Sequence, residues 1–438
     1  MRLGHSMKKK PAAQRTCGIV EFLQDEYARQ LRKVKSLSKK GADKTIVREA
    51  ASQLKLLSRK LRAAQSDTCQ RAQPLTEDKY PAPVDIPTDA EGYTVSFSLD
   101  SQRQSEWEAA RGFYENFGFV VFRDILTSHE CKLSQCEVWD YLEKKYPPFD
   151  RSKRESFSVL SSETYGLAPE PAIFTRQMVR NRCNHKLVQV MRCLLRDDRI
   201  LMSHDRWCFY RPTKFLDAKG KVVCMPAWKT PSNLHLDLNP WGYLQDKLSD
   251  QKLSYENLRD FSKEMNSVTQ FTGPHLQGVL AFTDNRTEDG GTTLVPGFHK
   301  HFTDWVQSLG PIDQYVKHSR VDCNRLVWRG QGAGSFKFSD FDRIHTLKRR
   351  IPIRAGSLLV WDQRVVHGSQ PNDSTNFRMA QFIKAFRVHR LPQERLRLRS
   401  KAVLKFINNQ WGTPITRLTQ EEKAVLGLEE FISYVTTT

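Results

Sequence analysis

The middle of the chain is a series of short apolar runs separated by polar and turn-forming residues. This pattern, which extends from about residue 200 to residue 390, is typical of β-strands joined by loops. The strongest strand candidates are Arg206–Tyr210, Asn233–Asp237, Gln277–Thr283, Thr292–Val295, Ser357–Asp362 and Arg378–Val388. Because many short strands at such spacing favour closed or two-layered sheets, the pattern predicts a β-sandwich or a barrel.

Apolar residues at three- and four-residue steps, the period of an α-helix, occupy the regions on either side of these strands. Before the strands, this period predicts three helices, Trp107–Phe117, Ser128–Lys145 and Lys186–Leu195. The apolar run Gly118–Phe122, between the first two helices, predicts one further strand. Near the C-terminus, Thr419 is followed three residues later by Glu422, which is the spacing of a capping box at the start of a helix. We therefore predict a mainly β fold with flanking α-helices.

The first 61 residues carry two further apolar stripes. One spans residues 20–37, and the other, at 47–61, follows the alternating three- and four-residue steps of a heptad. Between them, Gly41 can end one helix and Asp43 can cap the next. The sequence therefore predicts an N-terminal helical hairpin.

Proline-rich sequence follows this hairpin region. Four prolines lie among polar residues between positions 70 and 92, which is typical of a linker. We predict four segments: a basic helical hairpin or tail at 1–69, a proline-rich linker at 70–92, a catalytic domain at 93–395 and a C-terminal helical extension at 396–438.

Positive charge is concentrated towards the two ends of the chain. Residues 1–75 contain 18 Lys or Arg and 6 Asp or Glu, so they contribute +12 of the formal charge of +20. A second basic cluster lies at 387–405. Such clusters attract polyanions largely without sequence specificity, and a solvated basic surface is the simpler interpretation. A contact with a polyanion or a protein through these two regions is the alternative.

The sequence contains no apolar run near the length of a membrane span, about 18 residues, and no secretory leader. The nine cysteines show no C-x-x-C spacing, which fits reduced thiols better than disulfides or a zinc site. We expect an intracellular, cytoplasmic protein. A mitochondrial location stays open because residues 1–20 lack acidic side chains, and a nuclear location stays open as well.

Two histidines and one carboxylate form the candidate catalytic site. His235 and Asp237 lie two residues apart on a predicted strand, so their side chains project from the same face. This tripeptide alone is weak evidence, because a buried, hydrogen-bonded histidine is more common than a metal ligand. His367 follows another predicted strand 132 residues later. Together the three residues have the composition of the facial triad of non-haem iron(II) oxygenases, which leaves three metal positions open.

Arg378 lies eleven residues after His367, near the start of a long apolar strand. An oxoacid that chelates iron at one end needs its distal carboxylate fixed at the other. A guanidinium does this with two parallel charge-assisted hydrogen bonds, which lysine cannot reproduce. The hydroxyl of Ser369 can add a further hydrogen bond to the same carboxylate.

Taken together, these elements resemble, in order and spacing, the phytanoyl-CoA dioxygenase-like family of iron(II)- and 2-oxoglutarate-dependent oxygenases. The resemblance extends from about Phe113 to Phe386. It includes the entry segment FYENFGFVVF at 113–122, the H-x-D at 235–237 and the H-G-S at 367–369. The segment DGGTTLVPGFHK at 289–300 is similar to the family's N-G-x-x-x-x-x-P-G-S-H-K, with Asp and Phe in place of the usual Asn and Ser.

This resemblance implies a double-stranded β-helix, the jelly-roll or cupin-like fold. It also implies that His235, Asp237 and His367 bind Fe(II), and that Arg378 and Ser369 hold 2-oxoglutarate. The implied reaction uses dioxygen, releases succinate and CO2, and has ascorbate as an activator. The carboxylate of Asp237 favours hydroxylation, because halide can bind iron in relatives that have a small residue there.

We expect the enzyme to hydroxylate a C–H bond of a small or lipid-like metabolite. Tyr210, Trp241, Tyr243 and Phe282 are candidate substrate residues, although aromatic side chains there are also typical of a core. The stretches near 239–274 and 301–351 are longer than the family's pattern, so the family's own substrate does not carry over.

Three other functions stay open. The main alternative is an oxygenase of the same fold that acts on nucleic acid or protein, recruited by the basic N-terminal region. A catalytically silent binding module would not need a complete ligand set together with Arg378. A zinc or manganese enzyme that is not an oxygenase would not need that arginine either.

Overall fold

The computed structural model divides the chain into two compact units, Met1–Lys79 and Tyr80–Thr438. In the first unit the structure describes residues 25–34, 36–37, 50, 53–54 and 57. In the second unit it describes residues 80–99, 104–160, 173–217, 219–230, 232–238, 240–245, 275–310, 326–328, 334–338, 342–388, 393–411 and 418–428. The last part of the predicted linker, residues 80–92, therefore belongs to the second unit.

All described residues of the first unit are helical. The side-chain amide of Gln30 donates to the Ala50 carbonyl oxygen at 3.0 Å and to Gln53 Oε1 at 3.1 Å. These hydrogen bonds link the two segments that carry the apolar stripes. The helical hairpin itself stays a prediction, because its connection at 38–49 lies outside the described residues.

The helices of the second unit precede, interrupt and follow its strands. In the described part they are α1 Gln104–Phe117, α2 Ser128–Lys145, α3 Arg176–Arg182, α4 His185–Leu195, α5 Pro240–Gln245, α6 Phe298–Ser308, α7 Ile344–Leu347, α8 Gln393–Trp411 and α9 Gln420–Leu426. The capping box predicted at Thr419 and Glu422 starts α9. Among the described residues, no helix is both long enough and apolar enough to cross a membrane.

The strands of the second unit are short, except for the last one. In the described part they are β1 Phe119–Phe122, β2 Ile200–Met202, β3 Trp207–Tyr210, β4 Lys214–Leu216, β5 Val222–Cys224, β6 Asn233–Leu236, β7 Leu276–Ala281, β8 Gly291–Leu294, β9 Leu326–Trp328, β10 Gly334–Lys337, β11 Arg349–Arg350, β12 Leu358–Asp362, β13 His367–Gln370 and β14 Arg378–Arg387.

These strands form two six-stranded sheets and a separate two-stranded ribbon of β4 and β5. The first sheet has the order β1-β12-β7-β14-β2, with β3 also paired to β14. The second has the order β11-β8-β13-β6-β10-β9. All named strand pairs are antiparallel. The prediction of a mainly β fold with flanking helices is therefore confirmed.

Alternate residues of the first sheet enter two different cores. Phe119 and Val121 of β1 face a core that also contains Leu294 of the second sheet. Val120 and Phe122 point the opposite way, into a core built with helices α2 and α4. Because successive strand residues alternate between faces, a run buried on both faces reads as continuously apolar. The first sheet is thus packed between the second sheet and the helices.

Most of the predicted elements are present. The seven predicted strands correspond to β1, β3, β6, β7, β8, β12 and β14, with ends within two residues of the prediction. The three predicted helices correspond to α1, α2 and α4. The prediction did not include β2, β4, β5, β9, β10, β11 and β13, because strands of only two to four residues seldom carry enough pattern to be recognised.

The C-terminal helices pack on the strands through buried polar groups. Arg399 of α8, 1% exposed, donates to the carbonyl oxygens of Met202 at 2.7 Å and Leu426 at 2.8 Å. His204, which is fully buried, stacks on Phe174 at a centroid distance of 4.8 Å, and its Nε2 lies 3.3 Å from the Leu426 carbonyl oxygen. These contacts join α8 and α9 to the segment that follows β2.

Replacing His204 with glutamine is expected to reduce the pH dependence of stability. Burial, followed by the charges of Arg399 and Arg182, holds the pKa of His204 well below its ordinary value of 6.5. Below that pH the unfolded chain binds a proton that the folded protein excludes. Stability therefore falls as the pH decreases, by up to about 1.4 kcal/mol per pH unit. Melting temperatures at neutral and mildly acidic pH should differ less in His204→Gln than in the wild type.

The exposed His185 at the start of α4 offers a matched control. His185→Gln should show the same decrease in melting temperature as the wild type. If the melting temperature of His204→Gln falls between neutral and mildly acidic pH as much as that of the wild type, His204 is not the source of the pH dependence.

Candidate metal centre

Antiparallel pairing of β6 and β13 sets the position of the two candidate histidines. His367 lies directly opposite His235, and Ser369 lies opposite Asn233. Because opposite residues of antiparallel strands share one face of the sheet, these four side chains line the same cavity. Asp237, two residues beyond His235, faces the same way.

The three candidate ligands converge on one point. His235 Nε2 lies 3.3 Å from Asp237 Oδ1, and His367 Nε2 lies 3.7 Å from Asp237 Oδ2. The two imidazole centroids are 4.4 Å apart. One ligand atom from each residue lies within 4.8 Å of the other two. The predicted triad is therefore brought together in space.

The hydrogen bond made by His367 Nδ1 determines which imidazole nitrogen is available to a metal. Nδ1 lies 3.1 Å from the Val365 carbonyl oxygen, and a carbonyl only accepts, so Nδ1 carries the hydrogen. Nε2 then has its lone pair free towards the cavity. Burial, and next the nearby His235, lower the pKa of His367. Both effects favour the neutral imidazole that a metal requires.

Two donors hold one oxygen of Asp237. Gln277 Nε2 donates to Oδ2 at 2.8 Å, and Lys384 Nζ donates to the same oxygen at 3.1 Å. Trp361 Nε1 in turn donates to Gln277 Oε1 at 3.2 Å. Burial would raise the pKa of Asp237, but the Lys384 charge and the two histidines outweigh it and hold that pKa well below its ordinary range. Asp237 is therefore a carboxylate at neutral pH.

This donor set fits iron(II). It offers two neutral imidazole nitrogens and one carboxylate, the combination that non-haem iron(II) sites use with open positions for other ligands. Since Gln277 and Lys384 donate to Asp237 Oδ2, Oδ1 beside His235 is the oxygen that would be available to a metal. The hydrogen bonds of Asp237 and His367 are outer-shell contacts of the kind that orient metal ligands.

Arg378 lines the same cavity, which has a volume of about 230 Å³. Its side chain, 3% exposed, lies with its guanidinium carbon 5.0 Å from the centroid of the Tyr210 ring. Nε donates to Asn285 Oδ1 at 3.2 Å, and the two terminal nitrogens lie 3.3 Å from Cys208 Sγ and 3.4 Å from Thr292 Oγ1. The thiol is a weak acceptor and the contact with Thr292 is long, so a carboxylate can replace both of them.

Ser369 lies between Arg378 and the histidines. It is opposite Thr292 of β8 on one side and Asn233 of β6 on the other. Its backbone N–H donates to Asn233 Oδ1 at 2.8 Å, and its hydroxyl lies 3.3 Å from the same oxygen. The cavity therefore brings together all five predicted metal and cosubstrate residues.

Two positions at this site must be glycine, because neighbouring atoms leave no room for a Cβ. A Cβ on Gly368 would lie 1.8 Å from the Asn233 carbonyl oxygen, so β13 can pair closely with β6 only through glycine. A Cβ on Gly291, whose φ is +99°, would lie 2.4 Å from Arg378 Nε. Gly291 therefore leaves the space that the arginine side chain occupies.

Of the four predicted substrate residues, Tyr210 lines the cavity. Phe282 does not, because its side chain points to the opposite face of the first sheet. Along β7, Val279 and Ala281 face the core between the sheets, whereas Leu280 and the fully buried Phe282 face the helices. The prediction for Phe282 is corrected for this reason.

Trp241 and Tyr243 also lie outside the residues that line the described cavity. Both belong to α5 and make their contacts elsewhere. Trp241 Nε1 donates to the Gly310 carbonyl oxygen at 2.9 Å, and its ring lies 6.3 Å from that of Phe336. Tyr243, 8% exposed, packs edge-on against Phe302 at 5.0 Å. Tyr243 is a core aromatic and Trp241 is partly buried, so the structure brings neither to the cavity, and a substrate role for them stays a prediction.

Sequence reasoning overlooked Lys384, Gln277 and Asn285. Lys384 lies six residues after Arg378, so both side chains project from the same face of β14. A lysine inside an apolar strand was an available signal, because lysine is rarely buried without a partner. Gln277 and Asn285 gave no comparable signal, since their partners come from distant parts of the sequence.

Comparison with known proteins identifies relatives of this chain. The family model described as "Phytanoyl-CoA dioxygenase (PhyH)" matches residues 263–380. A Dictyostelium discoideum protein described as "Putative phytanoyl-CoA dioxygenase" is 33% identical over 368 residues. That match covers 78% of this chain and 97% of the relative. The similarity therefore includes nearly the whole length of the relative.

Two solved structures share the fold at low sequence identity. A "Putative Oxidoreductase from Salmonella typhimurium LT2" has a TM-score of 0.52 and 14% identity, with coverage of 97% of this chain and 99% of that chain. A "Hypothetical Protein JW0805 from Escherichia coli" has a TM-score of 0.51 and 14% identity, with coverage of 95% of each chain. At such identity the likeness concerns the fold alone.

Proposed function

Because the chain belongs to the phytanoyl-CoA dioxygenase (PhyH) family of Fe(II)- and 2-oxoglutarate-dependent dioxygenases, we propose specific roles for its cavity residues. His235, Asp237 and His367 bind Fe(II). Arg378, together with Ser369, binds the distal carboxylate of 2-oxoglutarate.

The observation that carries this proposal is the position of Arg378 relative to the triad. The hydroxyl of Thr292 contacts the arginine, and Thr292 pairs with Ser369. Ser369 lies two residues along β13 from His367, which pairs with His235. Two strand residues span about 6.6 Å. That distance suits a five-carbon dicarboxylate with one end at the metal and the other at Arg378.

In the proposed reaction the protein positions the reactants. Bound iron(II) would supply the redox chemistry by which 2-oxoglutarate and dioxygen oxidise a C–H bond, with release of succinate and CO2. The guanidinium of Arg378 fixes the orientation of the cosubstrate. Gln277 and Lys384 keep Asp237 in place, and the buried walls of the cavity limit access of water.

Replacing Arg378 with lysine is expected to weaken 2-oxoglutarate binding about 10- to 100-fold, because a two-pronged charged contact is reduced to one point charge. The affinity for Mn(II), which is bound by other residues, should change little. Calorimetric titration of the Mn(II)-loaded protein with 2-oxoglutarate measures the first affinity, and titration of the metal-free protein with Mn(II) measures the second.

Arg151 provides the matched control. It also contacts a carboxylate through two nitrogens, with distances of 2.9 Å and 2.7 Å to the two oxygens of Glu143, but it lies outside the cavity. Arg151→Lys should bind 2-oxoglutarate as the wild type does. Equal 2-oxoglutarate affinity in Arg378→Lys and the wild type would exclude the proposed role of Arg378.

The proposed substrate is a small or lipid-like metabolite that is hydroxylated at a C–H bond. Apolar residues of the first sheet, among them Val279, Phe382 and Ile383, form part of the cavity wall. A wall of this kind suits an apolar portion of a small molecule better than the charged backbone of a nucleic acid.

A nucleic-acid substrate is the second candidate, and one observation favours it. Arg397, Lys401 and Lys405 are exposed on α8 at four-residue steps, so they form one basic stripe. Binding of single-stranded DNA or RNA that is salt-dependent and lost when all three become alanine would favour this candidate. Binding that is unaffected by the triple substitution would remove the stripe as its support.

A substrate panel distinguishes the two candidates. The measured quantities are succinate released in the presence of Fe(II), 2-oxoglutarate and ascorbate, and product that has gained one oxygen atom. Stimulation by a fatty acyl or other small compound supports the metabolite proposal. Stimulation by an oligonucleotide alone would overturn it.

A further inference from the structure

Two guanidinium groups share a single neutral acceptor beside the cavity. Asn285, 2% exposed, receives Arg378 Nε at 3.2 Å and Arg350 at 2.5 Å on the same oxygen, Oδ1. Its amide nitrogen donates to the Gly290 carbonyl oxygen at 2.9 Å. Asn285 therefore connects the two arginines with the glycine turn that begins β8.

Arg350 is held in place by backbone carbonyl groups. One terminal nitrogen donates to Thr292 O at 2.9 Å and to Ile351 O at 2.8 Å. The other contacts the Gly290 carbonyl oxygen in addition to Asn285. Since these acceptors are all uncharged, the positive charge of Arg350 is solvated by dipoles and fixed in position.

The two positive charges have no direct ion-pair partner among the described residues, and the carboxylates of Asp289 and Glu288 act on Arg350 only from a longer distance. Within the described part of the chain, no carboxylate forms a salt bridge with Arg378 or Arg350. Burial, and next the charge of Arg378, lower the pKa of Arg350. Two partly buried positive charges that lie near each other favour the binding of an anion close to both.

We infer that Arg350 and Asn285 are positioning residues of the 2-oxoglutarate site, and that Arg350 supplies a second positive charge for its distal carboxylate. Neither residue needs to touch the cosubstrate. Asn285 orients the Arg378 guanidinium through Nε, and Arg350 fixes Asn285. This inference rests on the proposed function, because it assumes that Arg378 binds 2-oxoglutarate.

The neutrality of Asn285 is the feature that this inference explains. An aspartate there would have nearly the same shape and would give both arginines a carboxylate partner. It would also compete with an incoming anion for the same two charges. An asparagine orients Arg378 equally well and leaves the charge free for the ligand.

The sharpest test is Asn285→Asp, with 2-oxoglutarate and pyruvate as probes of the Mn(II)-loaded full chain. Pyruvate has the same oxoacid end but lacks the distal carboxylate. We expect 2-oxoglutarate binding to weaken roughly 100-fold, because an adjacent like charge opposes the second carboxylate. Pyruvate and Mn(II) binding should change less than about threefold, and the melting temperature should not fall.

Asn116→Asp is the matched control. Asn116 is exposed, and its Oδ1 also accepts a hydrogen bond from a cation, Lys300 Nζ, at 3.0 Å. This variant adds the same charge away from the cavity and should bind both oxoacids as the wild type does. Equal weakening of 2-oxoglutarate and pyruvate in Asn285→Asp would contradict the inference, since the effect would then not concern the distal carboxylate.

Asn285→Ala serves if the aspartate variant does not fold. It removes the shared acceptor without adding charge, and should weaken 2-oxoglutarate binding about 10-fold while Mn(II) binding is retained. If the wild type binds 2-oxoglutarate and both Asn285 variants bind it equally well, the inference is overturned. If the wild type itself binds no 2-oxoglutarate, the proposed function fails instead.

Discussion

The Asp237→Ala variant is expected to lose Mn(II) and Fe(II) binding and to release no succinate above background. Asp237 is the one carboxylate of the candidate triad, and its removal leaves two neutral imidazoles. Outer-shell partners alone typically contribute about 10- to 100-fold to metal affinity, so loss of a direct ligand should exceed about 100-fold. Calorimetric titration with Mn(II) measures this loss.

The same substitution should also lower stability, through Lys384. The ammonium group, on a side chain 11% exposed, lies 3.1 Å from Asp237 Oδ2 and would lose its carboxylate. Removing one partner of a fully buried pair costs roughly 3–5 kcal/mol. Since the Asp237 side chain is 27% exposed, we expect a smaller decrease in the free energy of unfolding, about 2 kcal/mol.

A double variant separates these two effects. Asp237→Ala/Lys384→Met removes the unpaired cation, so it should recover most of the stability without recovering metal binding. Asp140→Ala, which removes an exposed carboxylate outside the cavity, should match the wild type in metal affinity. Mn(II) binding by the double variant at wild-type strength would show that Asp237 is not a ligand.

Gly368→Ala is expected to disrupt the pairing of the two ligand-bearing strands. The added Cβ would lie 1.8 Å from the carbonyl oxygen of Asn233, and that atom belongs to the backbone of β6. One of the strands must therefore shift, and His367 must move relative to His235. We expect a loss of about 3 kcal/mol in the free energy of unfolding, and Mn(II) binding weaker by at least about 10-fold.

Gly112→Ala is the control for this substitution. Gly112 lies within α1, and a Cβ there would meet no atom within 4 Å. Alanine in a helix is more favourable than glycine by up to about 1 kcal/mol, so this variant should be as stable as the wild type or more so. Denaturant unfolding and Mn(II) titration compare the two variants. A Gly368→Ala protein with wild-type stability would contradict the close strand approach.

The three candidate ligands could be predicted from strand geometry together with the family resemblance. Two residues on one strand share a face, so His235 and Asp237 had to project together, and the register of β13 on β6 then places His367 opposite His235. The longer strands β7, β12 and β14 were recognisable from their apolar runs. Arg378 by itself is only a basic residue near the start of such a run, and its spacing from His367 together with the family resemblance singled it out.

The remaining features depend on tertiary contacts that no local pattern encodes. The partners of Asp237, Gln277 and Lys384, come from two other strands. The sequence did not reveal the sheet face to which Phe282 points, because an apolar run that is buried on both faces shows no alternation of apolar and polar residues. The requirement for glycine at 368 arises from the backbone of β6, far away in sequence.

The most direct test of the central claim is the release of succinate from 2-oxoglutarate by the purified full chain, with and without Fe(II). The reaction contains ascorbate and dioxygen, and Asp237→Ala and Gly112→Ala are assayed beside the wild type. We predict that the wild type and Gly112→Ala release succinate only when Fe(II) is present, and that Asp237→Ala releases none. Release that is independent of iron, or equal in Asp237→Ala and the wild type, would contradict the account.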